Sequence, residues 1–147
     1  MRLNHEAIAS LIPHAGSMVL LDQVIGYDAD HLHATSASHR LDSNPLRQGD
    51  RLPITAGIEY AAQAAAIHGA LTAHEHSVPR PGFLAMVRDL HWCVTRLDTI
   101  ESGLDVRVTR LNAQTGSVMY AFQLLAGTAT LMTGRLAVFF PEGEQTR

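Results

Sequence analysis

The fold is decided by the stretch PITAGIEYAAQAAAIH, which runs from Pro53 to His68. Its alanine-rich, apolar composition favours a long buried helix, which we expect to extend from about residue 54 to residue 74. Gly57 and Gly69 weaken this helix locally. A single acid, Glu59, interrupts the apolar run. The sequence therefore predicts one central helix that carries one carboxylate.

Glu59 is the first candidate for a functional residue. A carboxylate that loses water among packed side chains is suited to acid–base chemistry, whereas an acid at the rim of a core helix simply reaches solvent. Gln63 follows one turn later on the same face, so both side chains are expected to point at one substrate atom or water. Tyr60 points off that face and is expected in the core or at an interface. His68 lies about 180° from Glu59 and is expected to pack elsewhere.

The remaining segments predict a domain that is rich in strands. A short helix is expected over residues 4–11, and strands over 18–27, 31–39, 83–94, 104–112, 117–125 and 128–140. One helix covers a single face of such a sheet, which predicts an α+β arrangement with the antiparallel sheet wrapped around it. We find no repeat or linker, so residues 1–147 are expected to form one domain.

Composition excludes several function classes. All 11 basic side chains are arginine and the formal net charge is −3, so we expect no nucleic-acid partner. No apolar run reaches the ~20 residues that cross a bilayer, and the start of the chain lacks the pattern of a signal peptide, which predicts a cytoplasmic protein without a membrane partner. The lone cysteine, Cys93, fits a reducing compartment and is expected in the core.

Two segments resemble the 3-hydroxyacyl-ACP dehydratases of the FabA/FabZ type. Residues 11–24, LIPHAGSMVLLDQV, resemble the family's entrance motif, LPHR-x-P-hydrophobic-LLVD-x-V. Residues 53–64, PITAGIEYAAQA, resemble the start of its central helix, where the acid is catalytic and an amide follows four residues later. With the further segment Gly82-Phe83-Leu84, the chain is most similar to the ApeP-like dehydratases of aryl polyene gene clusters.

The resemblance implies a hotdog fold and an active site at a dimer interface, where the helix acid faces a histidine of the other subunit. Glu59 is then the catalytic acid, without metal or cofactor. The implied partners are an acyl carrier protein with a 3-hydroxyacyl thioester and a second hotdog subunit, identical or different. The implied role is fatty-acid or aryl-polyene-type biosynthesis.

One departure concerns the loop before the helix. The family has a Gly-His-Phe-Pro loop that supplies the catalytic histidine, and here it is shortened to Gln48-Gly49-Asp50-Arg51-Leu52-Pro53. The glycine five residues before the acid is replaced by Ile54, whose backbone N–H is still expected to polarise the thioester carbonyl. His14, in a rigid turn after Pro13, is our first candidate for the base, although it also fits a structural turn residue. His39 and His68 are the other candidates.

The chain has no lysine, so arginine is the side chain that we expect to meet an acidic carrier protein. Arg47 and Arg51 flank the shortened loop, and Arg80 and Arg88 bracket the segment Gly82-Phe83. We expect all four either to rim a thioester tunnel or to be ordinary solvated charges. The tract His74-Glu75-His76 resembles a metal site only superficially, because it has no further ligands nearby.

Two alternatives remain open. Hotdog thioesterases also carry an acid on this helix, where it activates water, and a missing histidine harms that reaction less. Alternatively, the chain is the supporting subunit of a heterodimer and contributes the acid while a second hotdog protein contributes the histidine.

Overall fold

The computed structural model describes residues 2–12, 16–73, 83–114 and 116–139. Its elements are α1 (His5–Ala9), β1 (Gln23–Tyr27), β2 (His31–Ser36), α2 (Ala56–Leu71), β3 (Phe83–Trp92), β4 (Leu104–Gln114), β5 (Ser117–Ala126) and β6 (Ala129–Phe139), with short 3₁₀ turns at Gly16–Met18 and Ser38–Arg40. The six strands form one antiparallel sheet in the order β1-β2-β4-β5-β6-β3.

The long helix α2 lies along one face of this sheet and packs against β2, β4, β5 and β6. Alternate residues of the strands are buried beneath it, including Val108, Tyr120 and Leu124, because successive side chains of a strand point to opposite faces. Gly57 has a packing role: a Cβ there would lie 2.7 Å from Leu124 Cδ2. The expected α+β arrangement of one sheet around one helix is confirmed.

Two of the expected strands are shorter in the structure by three residues or more. The strand expected over 18–27 begins only at Gln23, although Val19, Leu20 and Leu21 are buried. These residues have the apolar composition of a strand. However, the N–H and the carbonyl oxygen of Leu20 are hydrogen-bonded to side chains and not to the backbone of a neighbouring strand. The second strand ends at Ser36 because a 3₁₀ turn follows it.

Strand β3 forms one edge of the sheet and exposes large apolar side chains. Phe83, Leu84 and Trp92 are 53%, 41% and 56% exposed. Within the described residues, β6 is the only strand that pairs with β3. This edge therefore offers both unpaired backbone groups and apolar side chains to another protein.

The prediction that Cys93 lies in the core is wrong. Cys93 follows the last residue of β3, where the sheet ends, and is exposed. Its thiol donates to the Thr130 carbonyl oxygen at 3.1 Å.

Among the described helices, none is long and apolar enough to cross a membrane.

Candidate active site

The start of α2 is fastened to the loop that follows β3. The Leu97 N–H donates to Leu52 O at 2.7 Å, the Ile54 N–H to Thr95 O at 3.0 Å, and the Leu52 N–H to Asp98 Oδ1 at 2.9 Å. These bonds hold the first turn of the helix, which carries Glu59, against the loop next to the edge strand.

An ion pair stabilises this attachment. The Arg96 guanidinium donates twice to the Asp98 carboxylate, at 3.0 and 2.5 Å. Arg96, followed by the Leu52 N–H, lowers the pKa of Asp98 far below its ordinary value. Asp98 therefore stays charged as an acceptor for Leu52 throughout the neutral pH range.

At the start of α2, all but one of the backbone N–H groups of residues 54–58 have an acceptor among the described residues. The Ile54 N–H is occupied by Thr95 O, so the expectation that it donates to a thioester oxygen does not hold in this structure. The N–H groups of Ala56, Gly57 and Ile58 are bonded to carbonyls three residues before them. Thr55 is exposed, and within the described residues its N–H and hydroxyl have no hydrogen-bond partner. It lies four residues before Glu59 on the same helix face, and only this helical spacing marks it in the sequence.

Glu59 and Gln63 lie next to each other on α2, as the spacing predicts. Gln63 Nε2 donates to Glu59 Oε2 at 3.4 Å. The Glu59 side chain is half-buried, whereas Gln63 is 1% exposed. Glu59 is the acid of the first turn of α2.

The Gln63 amide also fixes the segment before β1. Its Oε1 accepts from the Leu20 N–H at 2.9 Å, and its Nε2 donates to Met18 O at 2.7 Å. Ser36 and Ser38 donate to Leu20 O from the other side, at 2.5 and 2.8 Å. The segment Met18–Leu20 is thereby held against the Glu59 face of the helix. Substrate binding by Gln63 stays a prediction, and most of its amide is already bonded to backbone.

Tyr60 is fully buried, as expected for a residue that points off the Glu59 face. Its hydroxyl lies 2.7 Å from Ser38 Oγ and accepts from Asn44 Nδ2 at 3.1 Å. Burial raises the pKa of Tyr60, and the hydrogen bonds that its hydroxyl makes with Ser38 and Asn44 oppose that rise. This network connects the helix to the turn after β2 and leaves the phenol no access to substrate.

The two described histidine candidates are buried, which favours the neutral form of both rings. On the opposite side of α2, His68 Nε2 donates to Asp28 O at 3.0 Å and Nδ1 accepts from the Tyr120 hydroxyl at 2.9 Å. His39 Nε2 donates to Ile100 O at 2.9 Å, and its buried Nδ1 has no partner within the described residues. Burial lowers the pKa of both rings. His14, the first candidate, lies outside the described residues.

The arginines expected to dock a carrier protein differ in their freedom. The Arg47 guanidinium is bonded to the carbonyl oxygens of Leu41, His39 and Asp50, so it holds its own loop together. Arg51 is exposed and makes no hydrogen bond through its side chain with any described residue. Arg88 is exposed on β3, with its Nε 3.9 Å from Asp89 Oδ2.

Arg80 and the tract His74-Glu75-His76 lie outside the described residues. Within the part of the chain that the structure describes, no group of three metal-ligating side chains converges.

Comparison with known proteins assigns the family. The model of the ApeP dehydratase family, ApeP-like, matches residues 6–147. The chain belongs to the ApeP-like dehydratases. A comparison with curated proteins gives no match.

Among solved structures, a chain of the dehydratase heterocomplex ApeI:P from Xenorhabdus doucetiae matches with a TM-score of 0.84 and 25% identity, covering 95% of this chain and 93% of that one. A thioesterase mutant from Pseudomonas aeruginosa matches with a TM-score of 0.66 and 12% identity, over 93% of both chains. A Haemophilus influenzae thioesterase gives the same TM-score and identity, over 93% of this chain and 90% of that one. The thioesterases share the fold alone, which is the expected hotdog fold.

Proposed function

We propose that this ApeP-like dehydratase supplies the acid of a composite site that dehydrates 3-hydroxyacyl thioesters on an acyl carrier protein, in fatty-acid or aryl-polyene-type biosynthesis. The observation that carries the proposal is the position of Glu59, in the first turn of α2 beside Gln63. Membership of a dehydratase family supports elimination of water as the reaction.

Dehydration removes a proton from Cα and expels the hydroxyl of Cβ, leaving a double bond conjugated to the thioester. Protonated Glu59 gives its proton to the departing hydroxyl, which leaves as water, while a histidine takes the Cα proton. The histidine's proton then returns to Glu59 through solvent and closes the cycle. We expect the Thr55 N–H, which has no partner among the described residues, to donate to the thioester oxygen as negative charge develops there.

The base comes from His14 or from a second hotdog subunit. His39 and His68 are poor candidates because both rings are buried and bonded to backbone carbonyls. The edge strand β3, with its exposed Phe83 and Trp92, is our proposed contact with that subunit. The similarity to a chain of a dehydratase heterocomplex supports a different rather than an identical partner.

The reaction is tested by supplying 3-hydroxyacyl and saturated acyl thioesters in parallel and measuring enoyl product and free thiol. We expect enoyl product from the hydroxyacyl substrate. Release of free thiol from both substrates, without enoyl product, would make the chain a thioesterase and refute the proposal. Activity that appears only when a second hotdog subunit is added would identify this chain as the acid half of a heterodimer.

Assembly is tested separately by sedimentation of the chain with and without that subunit. A specific contact is expected to bury more than ~1,000 Å². Trp92→Arg, in the proposed contact, should weaken association, whereas the control Leu41→Arg changes an exposed leucine outside the sheet. A mass near 16.0 kDa with the second subunit present would contradict the proposed pairing.

A further inference from the structure

The outer face of the sheet, turned away from α2, carries a hollow of about 610 Å³. Its wall residues include Arg107, Thr109, Ala121, Gln123, Thr133 and Arg135. These residues alternate along β4, β5 and β6 with the buried residues that face the helix. The hollow is therefore on the opposite side of the sheet from Glu59 and plays no part in the proposed dehydration.

The strand register concentrates basic side chains on this face. One row of directly paired residues runs across five strands through His33, Arg107, Gln123, Thr133 and His91. The adjacent row runs through His31, Thr109, Ala121, Arg135 and Arg88. Neither row contains an acid, so three arginines and three histidines lie together, and the small Ala121 leaves space between the arginines.

The two arginines in the hollow are available to a ligand. The Arg107 side chain makes no hydrogen bond or ion pair with any residue in the described part of the chain. Arg135 Nε lies 3.8 Å from Asp89 Oδ2, which is an ion-pair distance without a hydrogen bond. Asp89 also lines the hollow and is held in a left-handed conformation, with φ 58°, at the bulge of β3. The other nearby acid, Asp105, is already paired with His33 Nε2 at 2.7 Å.

We propose that this hollow binds a small organic anion, whose phosphate or carboxylate head lies between Arg107 and Arg135. A guanidinium presents paired donors that match either head, and charge-assisted hydrogen bonds of this kind are the strong ones. Thr109, Thr133 and Gln123 supply further polar contacts. Leu111, which also lines the hollow and is 43% exposed, gives an apolar wall for a short carbon chain.

Calorimetric titration of the full chain with hexyl phosphate, hexanoate and hexanol tests the ligand chemistry. We expect saturable binding of at least one anion at one site per chain, and comparison of the two anions identifies the preferred head. The alcohol, which has the same carbon chain without the charge, should bind at least about tenfold more weakly. The proposal fails if neither anion binds or if hexanol binds as well as they do.

Single substitutions test the location. Arg107→Gln and Arg135→Gln should each weaken binding by a factor on the order of fivefold, because each removes charged donors to the head. Asp89→Asn should tighten binding, because it removes the carboxylate beside Arg135. Arg2→Gln is the matched control, since Arg2 is exposed and lies before α1. The proposed location would be refuted if Arg107→Gln and Arg135→Gln both bound the anion with wild-type affinity, or if Arg2→Gln lost as much affinity as they do.

Discussion

The polar side chains on the two sides of α2 differ in how deeply they are buried. On one side, Glu59 is half-buried in the first turn, and the N–H of Thr55 has no partner among the described residues. On the other side, His68 is fully buried and both of its ring nitrogens are bonded, to Asp28 O and to the Tyr120 hydroxyl. Burial raises the pKa of Tyr120 to about 12 and lowers that of His68.

This difference separates a polar group that can react from one that holds the fold. On folding, the two ring nitrogens of His68 lose their hydrogen bonds to water and form hydrogen bonds to two protein groups. A change in the protonation state of the ring would therefore break one of these two hydrogen bonds. Glu59 is partly exposed to solvent. One turn later, the Gln63 amide forms hydrogen bonds with the backbone of Met18 and Leu20. In an apolar helix, the degree of burial therefore distinguishes the two roles better than residue type.

Glu59→Gln tests the reactive side and should have the largest effect. The substitution keeps the shape and removes only the titratable proton, so we expect activity to fall by roughly 10²–10⁴ with an unchanged fold. Turnover and the circular dichroism spectrum measure the two quantities. A variant that retains more than about a tenth of the activity would exclude Glu59 from acid–base catalysis.

His68→Ala tests the structural side and should lower stability without loss of activity per folded molecule. It creates a cavity and leaves the Tyr120 hydroxyl and Asp28 O without their partner, at a cost of about 2–4 kcal/mol in the free energy of unfolding. Urea denaturation measures the loss. His68→Gln, which restores a donor and an acceptor, is the matched control and should cost less. An unchanged denaturation midpoint in His68→Ala would contradict the structural role.

Much of this helix could be predicted from the sequence, because the direction in which each side chain points follows from the helical repeat. The shared face of Glu59 and Gln63, the core position of Tyr60 and the opposite position of His68 all follow from the helical repeat. The occupied N–H of Ile54 could not be predicted, since its acceptor, Thr95, is 41 residues away and is brought close only by the tertiary fold. For the same reason, the exposure of Cys93 depends on where the sheet ends and not on the residues beside it.

The buried histidines also predict how stability depends on pH. Burial lowers the folded-state pKa of His39 and His68 below the ordinary value of 6.5, so the unfolded chain takes up protons first as the pH falls. Their contribution to stability is complete above about pH 6.5 and is lost as the pH falls toward the folded-state values. The slope is at most about 1.4 kcal/mol per pH unit for each ring.

Urea midpoints measured from about pH 7.5 down to about pH 5 should therefore fall, and the fall should be smaller in His68→Gln, which cannot titrate. This range lies above the one in which Asp98 loses its charge, because the folded-state pKa of Asp98 is lowered from 3.8. Midpoints that stay constant across the range would show that neither ring is held neutral by the fold.

The smallest expected effect is that of Arg51→Glu, in the shortened loop before α2. Arg51 is exposed without a side-chain partner among the described residues, so Arg51→Glu should only weaken electrostatic steering of an acidic carrier protein. We expect KM for the carrier-bound substrate to rise about two- to fivefold, with KM for a small pantetheine thioester unchanged. Arg47→Glu is the contrasting variant, because it removes three backbone contacts and should lower stability and impair both substrates. Equal losses on both substrates in Arg51→Glu would show that Arg51 acts through the loop, as Arg47 does, and not by docking the carrier.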